Sequence, residues 1–317
     1  MRMKSSELAP IVLFVYNRPE HTRRTVEALR ANYLAPQSRL FVFSDAPKDD
    51  GARSAVEEVR RYVASIDGFA SVELFKQNVN QGLAASVIAG VTRFAEECGR
   101  VIVLEDDLLT SPYFLDYMNE GLELYRDEPD VASIQAYMYP LDLPSVPDSY
   151  FLPSLGCWGW GTWQRAWKNF EPNGLRLLQE IRSQKLSKKF DLNNSYPRTK
   201  LLQLQVQGKV DSWAIRWIAS NFLLDKKGLF PARSLIQNIG LDGTGTHFNK
   251  KSPVDITHIY NTDFPCDFHH LQKVPVVVNE AVLQACMSYL AANRPPNIFV
   301  RAIQKIRFWM SGWINKR

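Results

Sequence analysis

Three consecutive carboxylates, Glu105, Asp106 and Asp107, directly follow the apolar run at residues 101–104. Neighbouring negative charges repel one another, so holding them at the end of a buried strand is costly unless water, backbone donors or a cation compensates. Mg²⁺ and Mn²⁺ prefer oxygen ligands, and they combine one or two protein carboxylates with water and phosphate oxygens. The triplet therefore predicts a divalent-cation site. The alternative is a solvated acidic turn before a helix.

The elements that would position this triplet are short apolar strands that alternate with helices. Strands are predicted at residues 11–16, 40–43, 72–75 and 101–104, and helices at residues 20–32, 53–66, 83–98 and 111–126. The last of these helices is expected to begin with Ser111 as its N-cap and Pro112 as its first residue. Such alternation predicts a doubly wound, mostly parallel sheet, in which ligands bind beyond the carboxyl ends of the strands.

Polar residues are also expected at the ends of the neighbouring strands. Asn17 and Arg18 follow the first strand, and Asp45 follows the second. These strand ends and the triplet can meet in one crevice, where Arg18 would pair with a phosphate or a nucleoside. A solvated surface arginine is the alternative. Asn80 and Gly82 lie in the loop after the third strand, where they could contact a ligand or serve only a turn.

After Pro140 the pattern changes to loops, aromatic residues and a few helices, and this half is expected to complete a pocket. Four tryptophans are close together in its sequence: Trp158, Trp160, Trp163 and Trp167. Tryptophan offers a flat apolar platform for a sugar, and glycine allows a close backbone approach. Trp160 and Gly161 are therefore candidates for pocket walls. Ordinary core packing is the alternative.

Several segments occur in the same order as in a known group of enzymes. They are residues 10–18, 44–47, 80–86, 101–107, 159–163, 211–213 and 238–247. Together they resemble the GT-A fold glycosyltransferases, especially inverting bacterial sugar transferases of family 2 and the N-acetylglucosaminyltransferase I-like enzymes. The acidic signature of that group is usually Asp-x-Asp, and here it is similar to a Glu-Asp-Asp variant.

This resemblance implies a role for each acidic residue. Asp107 would bind the metal directly, Glu105 and Asp106 would hold the nucleoside, the ribose or water ligands, and Asp45 would lie near the nucleobase. The residues expected at the nucleotide sugar are Tyr16, Asn17, Arg18, Asp45, Asn80, Gly82, Glu105, Asp106, Trp160 and Gly161.

Sugar transfer also requires a base for the acceptor hydroxyl and stabilisation of the departing diphosphate. Asp211 is the first candidate for the base, because it precedes a predicted packed helix at residues 212–224. The alternative for Asp211 is an ordinary helix N-cap, and Asp242 is the second candidate. His247 follows a Gly-Thr-Gly-Thr stretch and is expected to complete the metal coordination. A solvated loop histidine is the alternative.

The composition limits which binding partners and which cellular location are expected. A net charge of +5 over 317 residues is too small to argue for nucleic acid. The four cysteines have no spacing typical of a zinc site, and the polar start of the chain argues against secretion, so a cytoplasmic protein is expected. Residues 297–317 form a basic, aromatic, amphipathic stretch. Such a helix could lie on the cytoplasmic face of the inner membrane, or it could pack on the domain or on a second copy.

The sequence thus predicts an α/β protein of GT-A (Rossmann-like) fold, with a mostly parallel sheet flanked by helices and a helical C-terminal extension. Residues 1–110 would form the nucleotide-sugar-binding half, residues 111–250 the acceptor-binding half, and residues 251–317 the extension. With Mn²⁺ or Mg²⁺, the enzyme would move a hexose or N-acetylhexosamine from a UDP-sugar to a saccharide or lipid-linked glycan, with inversion. Lipopolysaccharide or capsule synthesis is the expected setting.

Two other functions remain open from the sequence. A sugar nucleotidyltransferase would carry a glycine-rich, basic phosphate loop after the first strand, and residues 16–19 are a poor version of one. A non-catalytic carbohydrate-binding module would use the tryptophans as platforms, but it would leave the acidic strand end unexplained.

Overall fold

A computed structural model describes residues 8–141, 143, 147–241, 260–265, 267 and 270–293. The strands are β1 (Ile11–Val15), β2 (Arg39–Ser44), β3 (Ser71–Lys76), β4 (Arg100–Glu105), β5 (Leu108–Thr110), β6 (Val131–Gln135), β7 (Ser149–Leu152), β8 (Trp160–Trp163), β9 (Lys227–Pro231) and β10 (Ile236–Asn238). The helices are α1 (Pro19–Arg30), α2 (Asp50–Val63), α3 (Leu83–Cys98), α4 (Phe114–Leu124), α5 (Gln164–Trp167), α6 (Gly174–Ser183), α7 (Ser187–Phe190), α8 (Arg198–Val206), α9 (Trp213–Leu223) and α10 (Glu280–Ala292).

One eight-stranded sheet forms the centre of the molecule, in the order β3-β2-β1-β4-β8-β6-β9-β7. Strands β1 to β4 are parallel to one another, β8 is antiparallel to both β4 and β6, and β9 is parallel to β6. Only β7 and β8 run against the common direction. The predicted α/β fold with a mostly parallel central sheet is therefore confirmed.

The first four strands agree with the apolar runs in the sequence. Every residue of β1 is buried, and β4 is buried from Val101 to Leu104. Continuous burial of this kind is expected for strands covered on both faces, because parallel connections place helices over the sheet. The predicted helices over residues 20–32, 53–66 and 83–98 correspond to α1, α2 and α3, with shifts of a few residues at the ends of the first two.

The predicted start of the fourth helix was wrong. Helix α4 begins at Phe114, its N-cap is Tyr113, and no side chain caps it. The Ser111 hydroxyl instead accepts a hydrogen bond from the Tyr113 amide at 3.3 Å. The short strand β5 precedes this turn and pairs antiparallel with β10.

The second half of the chain adds strands to the same sheet and a small helical lobe. Helices α6, α7, α8 and α9 share their own apolar core, formed by Leu177, Leu178, Ile181, Phe190, Leu202, Ile215 and Ala219. Helix α10 packs against strands β7 and β9 through Val282 and Cys286. It confirms a helical C-terminal part, whereas the basic stretch at residues 297–317 lies outside the described residues. In the described part of the chain, no helix is both long and apolar enough to cross a membrane.

Candidate active site

The acidic triplet lies at the carboxyl edge of the sheet, next to the end of β1. Glu105 is the last residue of β4 and pairs with Phe14 of β1. The segment after β1 therefore runs beside the triplet. The Arg18 guanidinium contacts Asp106 and lies 3.0 Å from Asp107 Oδ2 through its Nη2 atom. The structure thus brings the first and fourth strand ends together.

Asp106 is held in place by the protein itself. Its side chain is 5% exposed, and its carboxylate accepts hydrogen bonds from Arg18 and from the Tyr16 amide. The hydroxyl of Thr25 in α1 donates a hydrogen bond to the backbone carbonyl of Asp106 at 2.9 Å. Burial raises the pKa of Asp106, and the positive charge of Arg18 opposes that rise. Asp106 therefore fixes the loop between β4 and β5.

Glu105 is buried beside the two other carboxyl groups of the triplet. Burial, followed by the charges of Asp107 and Asp106, raises its pKa to about 8. Arg18 and a hydrogen bond with Trp213 act in the opposite direction. Among the described residues, Arg18 is the one guanidinium beside these three carboxyl groups. A further positive charge at this point would stabilise the ionised form of the group.

Asp107 is the more accessible carboxylate beside Arg18, with 16% of its side chain exposed. The backbone after β10 lies directly against it. The Ile239 amide donates to the Asp107 carbonyl at 2.9 Å, and a Cβ atom added to Gly240 would lie 2.1 Å from Asp107 Oδ2. The predicted ligand His247 and the reserve base Asp242 follow this segment and lie outside the described residues.

Asp45 organises the loop that leads into α3. Its buried carboxylate accepts hydrogen bonds from the backbone amides of Ala46, Gln81 and Gly82 at 2.8 to 3.2 Å. The Asn80 side-chain amide donates to the Ala46 carbonyl at 2.7 Å. Gly82 has a φ of +78°, which favours glycine. These contacts support the turn alternative for Asn80 and Gly82.

Asp211 lies beside Gly82, in front of the start of α9. A Cβ atom on Gly82 would be 3.7 Å from Asp211 Oδ2, and Arg216 Nη2 is 3.8 Å from its Oδ1. The N-cap of α9 is Ser212, whose hydroxyl accepts from the Ile215 amide. The alternative that Asp211 is the helix cap was therefore wrong. Its side chain is 68% exposed and is not used in capping.

Comparison with known protein families shows to which family the chain belongs. The sequence profile of glycosyl transferase family 2 matches residues 11–175, just over half of the 317-residue chain. The chain belongs to glycosyl transferase family 2. The predicted GT-A glycosyltransferase is thereby confirmed, and sugar transfer is its general activity.

Three solved structures are similar to this family 2 protein, each at 12% identity. The mannosyltransferase PcManGT from Pyrobaculum calidifontis, in complex with GDP-Man and Mn²⁺, matches over 71% of this chain and 76% of its own, with a TM-score of 0.35. TarS from S. aureus matches over 72% and 36%, with a TM-score of 0.37. Mouse xyloside xylosyltransferase 1, in its apo form, matches over 83% and 95%, with a TM-score of 0.34. No curated protein matches the chain significantly.

Trp160 and Gly161 lie in the core of the family 2 domain rather than at the crevice surface. Trp160 is 0% exposed, and its ring stacks on Trp213 at a centroid distance of 5.2 Å. Gly161 is buried in β8, where an added Cβ would lie 2.9 Å from the Met118 side chain. The core alternative is therefore supported for both residues. A fully buried ring presents no face to a sugar.

Two features of the site were not predicted from the sequence. Trp213 connects the start of α9 to Glu105, and the backbone at Gly240 packs on Asp107. Both residues fall in segments that resemble the family, but the spacing alone assigned them no contact. Asn17 is half-buried beside Arg18 and has no role visible in the described contacts.

The carboxylate oxygens at this site suit a cation that is also coordinated by a ligand. No group of three or more histidine, cysteine or acidic side chains within the described ranges could enclose a metal by itself. Mg²⁺ and Mn²⁺ do not require such a cage, because phosphate oxygens and water complete their coordination. Partly exposed Asp107, beside carboxylates that outnumber Arg18, meets this requirement.

Proposed function

We propose that this family 2 enzyme uses Mn²⁺ or Mg²⁺ to transfer a hexose or N-acetylhexosamine from a UDP-sugar to a hydroxyl of a saccharide or lipid-linked glycan. The observation that carries this proposal is the placement of Asp107. It is a partly exposed carboxylate at the carboxyl edge of the sheet, next to the buried Asp106 and within reach of the Arg18 guanidinium.

In the proposed donor complex, Asp107 would hold the cation, which would supply Lewis-acid stabilisation of the negative charge on the departing diphosphate. Arg18 lies within hydrogen-bond distance of Asp107 and can turn its guanidinium to the phosphates. Tyr16, Asp45 and the backbone at Gly82 border the same edge and would contact the nucleoside. His247 is proposed as a second metal ligand.

Asp211 is proposed as the base. It is exposed, it lies beside Gly82 at the start of α3, and Ser212 rather than Asp211 caps α9. The acceptor oxygen would bond to the anomeric carbon while the bond from that carbon to the diphosphate oxygen breaks. The acceptor proton would pass to Asp211. Attack from the face opposite the leaving group gives inversion.

The biological setting is proposed from the sequence. A surface polysaccharide, either lipopolysaccharide or capsule, would be the product. The basic stretch at residues 297–317 would hold the enzyme at the cytoplasmic face of the inner membrane.

A panel of nucleotide sugars tests the proposal. The full chain is incubated with each donor in Mn²⁺ or in excess chelator, and the released nucleoside diphosphate is measured. We expect release from a UDP-sugar in Mn²⁺ and background release in chelator. Equal release in both conditions would contradict the metal role. Release of pyrophosphate from a nucleoside triphosphate and a sugar phosphate would indicate a nucleotidyltransferase instead.

A further inference from the structure

A surface cleft lies beyond the ends of strands β6 and β9, outside the acidic triplet. It is lined by residues 139–141, which follow β6, by residues 232–234, which follow β9, and by Thr262. Its volume is about 280 Å³, just below the roughly 300 to 1,000 Å³ that is usual for small-molecule sites, so it suits one small group. Apart from buried Ser234, every lining residue is at least partly exposed. A ligand can therefore enter from solvent.

The cleft and the acidic triplet lie at the same edge of the sheet. Strands β4 and β6 are both antiparallel to β8, and β9 is parallel to β6, so β4, β6 and β9 run in one direction. The residues that follow these strands therefore all lie at the carboxyl edge, where α/β sheets bind their ligands. Arg233 is the second residue after β9, just as Asp107 is the second residue after β4.

A short series of hydrogen bonds connects the cleft to Asp107. Asn261, the residue before Thr262, exchanges two side-chain hydrogen bonds with the backbone of Asn238, at 2.9 and 3.0 Å. The next residue, Ile239, donates from its amide to the Asp107 carbonyl at 2.9 Å. Summed with ordinary bond lengths, these links span at most roughly 20 Å between Thr262 and Asp107. An acceptor of a few sugar units can bridge that distance.

Arg233 gives the cleft a positive charge that is open to a ligand. Its side chain is exposed, and its Nη2 atom lies 3.5 Å from the Asp263 carbonyl, a long contact that uses little of the hydrogen-bonding capacity of a guanidinium. Asp148 and Asp263 are exposed in the neighbouring segments, but within the described part of the chain no carboxylate forms an ion pair with Arg233. Its remaining donors can therefore bind an anion.

We propose that this cleft is an acceptor subsite, in which Arg233 binds an anionic group, a carboxylate or a phosphate, on the saccharide acceptor. The guanidinium supplies paired donors that match either anion. The half-buried side chains of Tyr139 and Leu141 offer apolar surface to the sugar ring. This inference rests on the proposed function in so far as the ligand is an acceptor.

Calorimetric binding to the full chain tests the subsite with defined probes. Methyl glucuronide and glucose 6-phosphate carry the two anions, and methyl glucoside is the neutral match. We expect the wild type to bind at least one anionic sugar about tenfold or more tightly than the glucoside. Arg233→Gln should abolish this preference, whereas Arg233→Lys should keep part of it. Arg53→Gln, which removes an exposed arginine of α2 away from the cleft, is the matched control and should keep it in full.

A second variant tests the position of the subsite rather than its charge. Ala232→Leu adds bulk to the wall of the cleft and should abolish binding of the anionic sugar while Arg233 stays in place. Full binding in Ala232→Leu would overturn the subsite. Equal binding of charged and neutral sugars by the wild type would also overturn it, as would an anion preference that survives in Arg233→Gln.

UDP binding in Mn²⁺, measured on each protein, separates the subsite from the donor site. An Arg233→Gln protein that binds UDP as the wild type does but has lost the anion preference supports the subsite. Inorganic phosphate is a further probe: if it binds as tightly as glucose 6-phosphate, the sugar contributes nothing and the saccharide assignment is overturned. A wild type that binds anionic sugars through Arg233 but does not bind UDP would contradict the proposed function and leave the subsite standing.

Discussion

The backbone of Gly240 lies against the carboxylate of Asp107, so closely that a Cβ atom at Gly240 would be 2.1 Å from Oδ2. Gly240→Ala should therefore displace the proposed metal ligand and lower Mn²⁺-dependent release of UDP from the donor by about tenfold or more. Gly99→Ala is the control, because a Cβ there meets nothing within 4 Å. Its positive φ should cost about 1 kcal/mol of stability and leave turnover unchanged. Wild-type turnover in Gly240→Ala would contradict the close contact.

Arg18 is the guanidinium that contacts both Asp106 and Asp107. Arg18→Gln should lower the free energy of unfolding in chelator by about 3 kcal/mol, because it leaves buried carboxylates without their partner. Mn²⁺ should restore more stability to the variant than it adds to the wild type, since the cation replaces the lost charge. Thermal unfolding with and without Mn²⁺ measures both effects. Arg30→Gln breaks an exposed pair with Asp67 and should cost less than about 1 kcal/mol.

Glu105 should make stability depend on pH when no divalent cation is present. Its pKa rises from an ordinary value of 4.5 to about 8 in the folded protein. Between these values the folded state binds more protons than the unfolded state, so stability falls as pH rises. Glu105→Gln should remove this fall, whereas Glu97→Gln, at an exposed helix position, should not. Denaturant unfolding in chelator at pH 5.5 and pH 8 measures this change in the free energy of unfolding. If the free energy of unfolding of Glu105→Gln fell between these pH values as much as that of the wild type, Glu105 would not be the group responsible.

The sequence identified the first half of the site because its signals are local. Apolar runs mark β1 and β4, and the carboxylates follow β4 without a gap, so the strand end and its charge could be predicted together. The insertion of β8 between β4 and β6 could not be predicted in this way. These strands lie far apart in the sequence, and their antiparallel pairing depends on packing elsewhere in the chain.

Burial was the property that the sequence could not supply. Trp160 and an exposed platform tryptophan look alike in a sequence, and the difference lies in the stacking of Trp213 on its ring. The cap of α9 was ambiguous between Asp211 and Ser212 because both residue types accept hydrogen bonds from helix amides.

Asp211→Asn should reduce transfer to an acceptor by about 10² to 10⁴-fold, the range associated with loss of a general base. UDP binding should be unchanged, because the substitution is isosteric and the side chain is exposed. Asp225→Asn is the matched control: it is an exposed carboxylate near the far end of α9, and transfer should persist. Acceptor-dependent product formation is the readout. Wild-type rates in Asp211→Asn would assign the base to another residue.

The central claim is that Asp107 binds a divalent cation that also contacts the donor diphosphate. Isothermal titration of UDP into the wild type and into Asp107→Asn, each in Mn²⁺ and in chelator, tests it most directly. The wild type should bind UDP more tightly in Mn²⁺, and Asp107→Asn should bind it equally weakly in both conditions. An Asp107→Asn protein that retains the full Mn²⁺ enhancement would contradict the claim.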